Sequence, residues 1–343
     1  MMKTLKTTTK IARMTAVCVS LAFTMSTGVY ASDDRHTFNL ALESGDRDSL
    51  QGKSMQLWSD LIEKNSDGRM KLNIFYQGEL GGQQEMFDQL VRGNIQMMIT
   101  WPQTSYDERL AVNYIPYLTL GWEDALKAYG EDGWLKNILE PVYADIGLKY
   151  FGPYPEGFGG IATKDTYATT YQGAEGMKVR SAPVFPLPQT VQAMGFQAVP
   201  IDWNEVYTSI QTGVVDGDSS NVIYWDYEYF RDQLDYYVHS RHNFSSYALL
   251  MNNGVWEELD SEDQNIIADA AQAVIEKQFK DARAEDEKWI EAAQKAGMEY
   301  IEPTPVEMAD WVERVRSEVW PQVAEKLEGD LMAEIRANAS VPQ

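Results

Sequence analysis

Residues 176–221, GMKVRSAPVFPLPQTVQAMGFQAVPIDWNEVYTSIQTGVVDGDSSN, leave this chain few folds to choose from. Met177–Arg180 reads as a short strand, and an apolar helical segment then stops at Gly195. Phe196–Ile201 is extended again. Asp202-Trp203-Asn204-Glu205 places a side-chain acceptor three residues before a Glu, a variant capping box, and so opens a second helix. Gly213 supplies the left-handed stop, and Val214-Val215-Asp216-Gly217 enters the next strand. Such β-α-β-α-β alternation implies parallel strands with ligands at their carboxyl ends. Arg180 stands at one of those ends. Its guanidinium either forks onto a carboxylate, which a lysine point charge does not imitate, or forms a surface or lobe-interface salt bridge.

The runs Gly176-Met177-Lys178-Val179-Arg180, Met194-Gly195 and Glu205–Gly217 closely resemble the signature of DctP-type substrate-binding proteins, which serve TRAP transporters. The resemblance implies an α/β, two-lobed periplasmic binding protein fold with mixed sheets flanked by helices. It also implies that Arg180 holds the carboxylate of a substrate. Gly78-Glu79-Leu80-Gly81 and Ile115-Pro116-Tyr117-Leu118 match further segments of the family. Two positions depart from it. Gly157-Phe158-Gly159-Gly160 lacks the second arginine of a G-F-R segment, and Gln96 stands where an acid is usual. The D-G-x-x-N loop is altered as well. In Asp216-Gly217-Asp218-Ser219-Ser220-Asn221 the asparagine comes one place late, so either Ser220 or Asn221 fills its role. A single arginine suits a monocarboxylate, a sulfonate or a zwitterion such as ectoine better than a dicarboxylate.

The first 31 residues read as a signal peptide. Lys3, Lys6, Lys10 and Arg13 precede an apolar run from Met14 to Met25, and Val29-Tyr30-Ala31 offers a cleavage site. That run is too short to span a bilayer. Cys18, the only cysteine, lies within this segment without a convincing lipobox, so no lipid anchor and no mature disulfide is expected. The remaining 312 residues favour two lobes over one. Loss of four cations takes the net charge from −23 to −27, which disfavours nucleic acid and requires a local positive site for an anionic ligand. The expectation is a periplasmic monomer without a cofactor, handing its ligand to small and large membrane subunits.

Along the mature chain, Phe38–Leu42, Met70–Phe75 and Ile95–Thr100 read as strands separated by helices. The glycine-rich turn at Gly78–Gly82 lacks the ending of a phosphate loop. Helix–Gly93–Asn94–Ile95–Gln96 echoes helix–Gly213–Val214–Val215–Asp216, as two similarly built lobes would. Leu148–Gly152 reads as a strand and Pro153–Gly157 as the crossover between lobes. The expected first lobe is 32–155 with 246–285, and the second is 156–245 with 286–343. From a capping box at Ser261, an apolar pattern continues to Gly297, a helix of about 50 Å that bridges both lobes. Trp311–Glu328 reads as a further helical region.

The remaining site candidates sit at strand ends or among aromatics. Glu43 and Ser44 follow the first strand. Glu43 either pairs with a hydroxyl or ammonium or is a solvated loop acid. Trp101 is a cleft wall or core. Phe185 follows Arg180, and Tyr224 and Trp225 are the aromatics nearest the motif loop. His36, His239 and His242 lack zinc-site spacing, and neither a G-x-S-x-G elbow nor a mature cysteine nucleophile occurs. An ABC-importer binding protein is the alternative within the class, and a secreted carbohydrate-active enzyme the alternative outside it.

Overall fold

The computed structural model describes residues 35–130, 133–327 and 331–342. The expected signal peptide, with Cys18, lies outside the described residues, as does Glu328. Among the described residues, no helix is long and apolar enough to cross a membrane.

The chain runs β1 (His36–Leu42), α1 (Leu50–Asn65), β2 (Met70–Phe75), α2 (Gln83–Val91) and β3 (Met97–Thr100). It continues through α3 (Trp122–Tyr129) and α4 (Trp134–Asp145) into β4 (Leu148–Phe158) and β5 (Ile161–Thr163). Then come β6 (Lys178–Ser181), α5 (Leu187–Ala193), β7 (Gln197–Pro200), α6 (Val206–Gln211), β8 (Gly217–Asp218) and α7 (Ile223–Phe230). After β9 (Tyr236–Val238) it returns as β10 (Phe244–Asn252) and α8 (Asn253–Glu257). It ends with α9 (Ser261–Lys295), β11 (Glu299–Ile301), α10 (Pro305–Lys326) and α11 (Leu331–Asn338).

Two mixed sheets result, in the orders β2-β1-β3-β10-β4 and β11-β9-β5-β8-β6-β7. In the first, β2 and β3 flank β1 in parallel, and β10 joins β3 antiparallel. In the second, β7 and β8 flank β6 in parallel, and β5 joins β8 antiparallel. The same β-α-β-α-β wind is therefore used twice, and the short echo at Gly93 and Gly213 falls at equivalent places in it. Both motifs change winding direction at their central strand, so the ends of β1 and β6 are the places where side chains can converge.

The period of two along β1 sorts its side chains. Phe38, Leu40 and Leu42 pack with Met55, Trp58 and Ile62 of α1 and with Ile267 and Val274 of α9. Ala41 faces Met86, Phe87 and Leu90 of α2. The helix α9 spans about 52 Å over its 35 residues. Its amino-terminal half packs on the first sheet, while Ala293 joins the core of the second with Ala162, Ile210 and Val215.

Three local expectations change. The segment Pro153–Gly157 does not leave the first sheet but stays within β4, paired with β10 through two register shifts. Proline is tolerated there because β4 is an edge strand, where the missing N–H breaks no ladder on the open side. The N-cap of α9 is Asp260, whose carboxylate accepts from the Glu262 and Asp263 N–H groups, rather than Ser261. The final long helix starts at Pro305, six residues before Trp311, because Thr304 and Glu307 form a capping box around a proline at the first helical position. Gly217 of the motif is required by contact: a Cβ there would lie 1.9 Å from the Ala162 carbonyl oxygen on the neighbouring strand.

Candidate functional site

The two windings deliver their strand ends to one cavity. From the first sheet, β1 ends in Glu43 and Ser44, β3 ends in Trp101, α2 begins with Gln83, and β10 contributes Tyr247. From the second, β6 supplies Arg180 and Ala182, the turn after β7 supplies Trp203, and the loop after β8 and helix α7 supply Asn221 and Trp225.

Arg180 is 3 % exposed, so its charge must be met within the protein. Its Nε donates to the Ile201 carbonyl at 2.9 Å, and Nη1 donates to Asp218 Oδ1 at 3.0 Å. Asp218, at the end of the adjacent parallel strand, is fully buried and also accepts from the Ser220 N–H at 2.9 Å through Oδ2. Arg180 is thus held in a buried ion pair between adjacent strands of one sheet and also lines the cavity. Nη2 has no hydrogen-bond partner among the described residues. Asp226 lies behind this pair and accepts from Asn221 Nδ2 at 2.9 Å. Burial, and then the neighbouring Asp218, hold its carboxyl well above the usual range.

Glu43 is 4 % exposed and accepts from the Trp101 N–H at 2.9 Å through Oε1. Its Oε2 and the Trp101 indole N–H are both buried without a partner among the described residues. Burial pushes the Glu43 carboxyl up to about 7. Ser44 Oγ bonds Tyr247 Oη at 3.0 Å, and the Tyr247 ring stands edge-on to Trp101 with centroids 5.6 Å apart. Across the cavity, the Trp203 and Trp225 rings meet at 5.2 Å and 73°. The Trp225 wall comes so close to the first sheet that a Cβ on Gly45 would lie 2.9 Å from its Cη2. Gly45 has φ +86, a conformation open to glycine in any case.

Six of the nine residues singled out in the sequence line this cavity: Glu43, Ser44, Trp101, Arg180, Asn221 and Trp225. Three do not. Ser220 accepts from the Ala182 N–H at 2.9 Å and staples the motif loop to β6. Tyr224 turns to an adjacent cavity, where its hydroxyl accepts from the Leu50 N–H at 3.3 Å. Phe185 packs half-buried against the core. The altered loop thus presents Asn221, not Ser220, to the cavity. His242 is also part of the scaffold. Its Nε2 donates to the Ser219 carbonyl at 2.8 Å, and burial lowers its ring to about 4, so it is neutral.

Gln83, Ala182, Trp203 and Tyr247 were not anticipated. Trp203 directly follows the carboxyl end of β7, and Gln83 holds the matching place after β2, so the repeated winding carried a signal for both. Tyr247 lies mid-strand, and only the insertion of β10 beside β3 brings it here.

The buried carboxyls give ligand-free stability a definite pH slope. Glu43 and Glu156 are each raised by burial from an ordinary 4.5 to about 7. Between those values these two carboxyls hold more protons in the folded protein than in the unfolded chain, so their contribution to stability falls as pH rises through this window and levels off above it, partly offset by His242, whose lowered ring contributes in the opposite sense below 6.5. The full shift is worth roughly 3 kcal/mol per carboxyl as an upper bound. Urea unfolding at pH 5 and pH 8 is expected to show this loss, and Glu43→Gln should remove its share. An unchanged slope in that variant would refute the assignment.

Comparison with known proteins agrees with this architecture. The chain is 27 % identical over 315 residues to the ectoine-binding periplasmic protein TeaA of Halomonas elongata, covering 91 % of this chain and 89 % of that one. It is 28 % identical over 259 residues to the ectoine/5-hydroxyectoine-binding periplasmic protein UehA of Ruegeria pomeroyi, covering 75 % and 74 %. Among solved structures, the periplasmic ectoine-binding protein of the TeaABC TRAP transporter of H. elongata superposes with a TM-score of 0.81 at 22 % identity, over 88 % of this chain and 98 % of that one. Residues 43–327, which include every cavity residue named above, match the sequence model of DctP, bacterial extracellular solute-binding protein family 7. The chain therefore belongs to that family, the DctP-type solute-binding proteins of TRAP transporters, and is a binding protein rather than an enzyme.

Proposed function

We propose that this protein captures a small zwitterion of the ectoine class, a carboxylate joined to a delocalised cation, and presents it to the membrane subunits of an ion-gradient-driven TRAP transporter. The carboxylate is assigned to Arg180 Nη2 and the Trp101 indole N–H. The cationic end is assigned to Glu43, flanked by indole faces that favour a flat cation. Closure of one lobe over the other would expel water and strengthen both contacts.

The observation that carries this reading is the charge balance of the cavity. Asp218 already neutralises Arg180, and Glu43 lines the same space with its Oε2 buried and unpartnered among the described residues. A dianion entering here would meet no net positive charge and one carboxyl poised to ionise. A zwitterion answers both ends. The two ectoine-binding relatives support the same class.

Calorimetric titration with ectoine, L-gulonate and succinate at pH 8 tests it. Ectoine is expected to bind at least 100-fold more tightly than succinate. Succinate binding as tightly as ectoine would overturn the reading.

A further inference from the structure

We propose that Glu156 is a positioning residue of the ligand cavity, acting through Trp225 without touching the ligand. The inference rests on the cavity above being the ligand site, but on no particular ligand.

Helix α7 belongs to the second sheet's half, where Ile223 and Phe230 join that core. Its polar-tipped aromatics reach the other half. Tyr229 Oη accepts from the Asp46 N–H and Tyr224 Oη from the Leu50 N–H, each at 3.3 Å. The shortest of these ties is Trp225 Nε1 donating to Glu156 Oε1 at 2.8 Å. Trp225 is 1 % exposed and lines the cavity. Glu156 lies outside that wall and lines the adjacent cavity instead.

Glu156 is itself fixed entirely by the first half. Its strand β4 is in the first sheet; Ser245 of β10 donates to Oε2 at 2.6 Å, and Gln51 of α1 donates to Oε1. Three donors on three elements therefore converge on one buried carboxyl, and only one of them, Trp225, comes from the opposite half. Once Glu156 is ionised, above pH about 7, such a bond is charge-assisted, worth more than a neutral one and directional. The consequence is that the Trp225 wall of the ligand cavity is held to the first half through one buried carboxyl, the shortest of the three bonds that tie α7 to that half. A ligand pressed against the indole and the closure of the cavity then share one side chain.

The test compares Glu156→Leu, Glu156→Gln, Trp225→Phe and the double variant E156L/W225F, with ectoine as the probe. Glu156→Leu is expected to weaken ectoine binding at least tenfold, and Trp225→Phe, which keeps a wall but loses the N–H, by a similar factor. The double variant should be no weaker than the worse single one. Glu156→Gln should recover most of the loss, because its amide oxygen can accept from Trp225 while its amide nitrogen donates to the Ser245 hydroxyl. A merely structural role would lower the melting temperature without this non-additivity. In ligand-free protein, the Trp225 indole N–H should be protected from hydrogen exchange and lose that protection in Glu156→Leu. Wild-type affinity in Glu156→Leu, effects that add in full, or an unprotected indole in the wild type would each overturn the proposal. If the wild type binds no ectoine, the proposed ligand class fails, and the indole exchange still decides the role of Glu156.

Discussion

Lysine in place of Arg180 is expected to weaken ectoine binding by roughly 30-fold to several thousand-fold, the range for breaking a desolvated charge pair at about 2–5 kcal/mol. Charge is kept in Arg180→Lys, so the loss is one of geometry. Nε and Nη1 serve Ile201 and Asp218, and the proposed ligand contact falls to Nη2. A single ammonium cannot hold all three directions from one place. Fold integrity needs separate control, because Asp218 is fully buried and would lose a partner. Removing one member of such a pair typically costs about 3–5 kcal/mol of stability. The variant is therefore best paired with R180M/D218N, which takes away both charges of the buried pair together. Unfolding by urea reports stability in both, and calorimetry reports affinity. Ectoine affinity equal to wild type in a folded Arg180→Lys protein would dismiss Arg180 as the anchor.

Glu43→Gln should act on selectivity. The amide keeps an acceptor for the Trp101 N–H but removes the charge that answers the ligand's cationic end. A loss of about 10–100-fold for ectoine is expected, with little change for a simple monocarboxylate, since discrimination is a difference of affinities. The pH dependence separates this from a packing defect. Glu43 lies near 7 without ligand, and the zwitterion requires its ionised form. Wild-type affinity should therefore rise with pH, by up to about tenfold per unit below 7, and flatten above it. In Glu43→Gln that slope should vanish. A mutant that retains it would place the titrating group elsewhere.

Much of this was legible in the chain because it is local. The winding at 176–221 is written in residue order: a capping Asp202, stop glycines at 195 and 213, and short apolar strands between them. Its topology then dictates that whatever follows each strand lies on the ligand side. That logic reached Glu43, Ser44, Trp101, Arg180 and Asn221, all within a few residues of a strand's carboxyl end. It failed where a helix had to choose a side. Tyr224 and Trp225 are neighbours in the chain, yet a helical step of about 100° sends them to different cavities. It failed again at Pro153–Gly157. Proline marks a break in most settings, but on the outer strand of a sheet it does not.

The sequence by itself determined the repeated parallel winding, the long helix from 261 to 295 and the place of Arg180 at a strand's carboxyl end, since each depends on contacts a few residues apart. Only the tertiary structure decided what surrounds that arginine. Asp218 lies 38 residues from Arg180, Tyr247 is 203 residues from Ser44, and Glu156 is 69 residues from Trp225. Charge and hydrogen-bond balance in a buried space is a sum over neighbours, and neighbours at such separations are set by strand order and by the approach of the two sheets. The pattern of one segment therefore announces an arginine, while the partners that set its net charge are known only when the chain is folded.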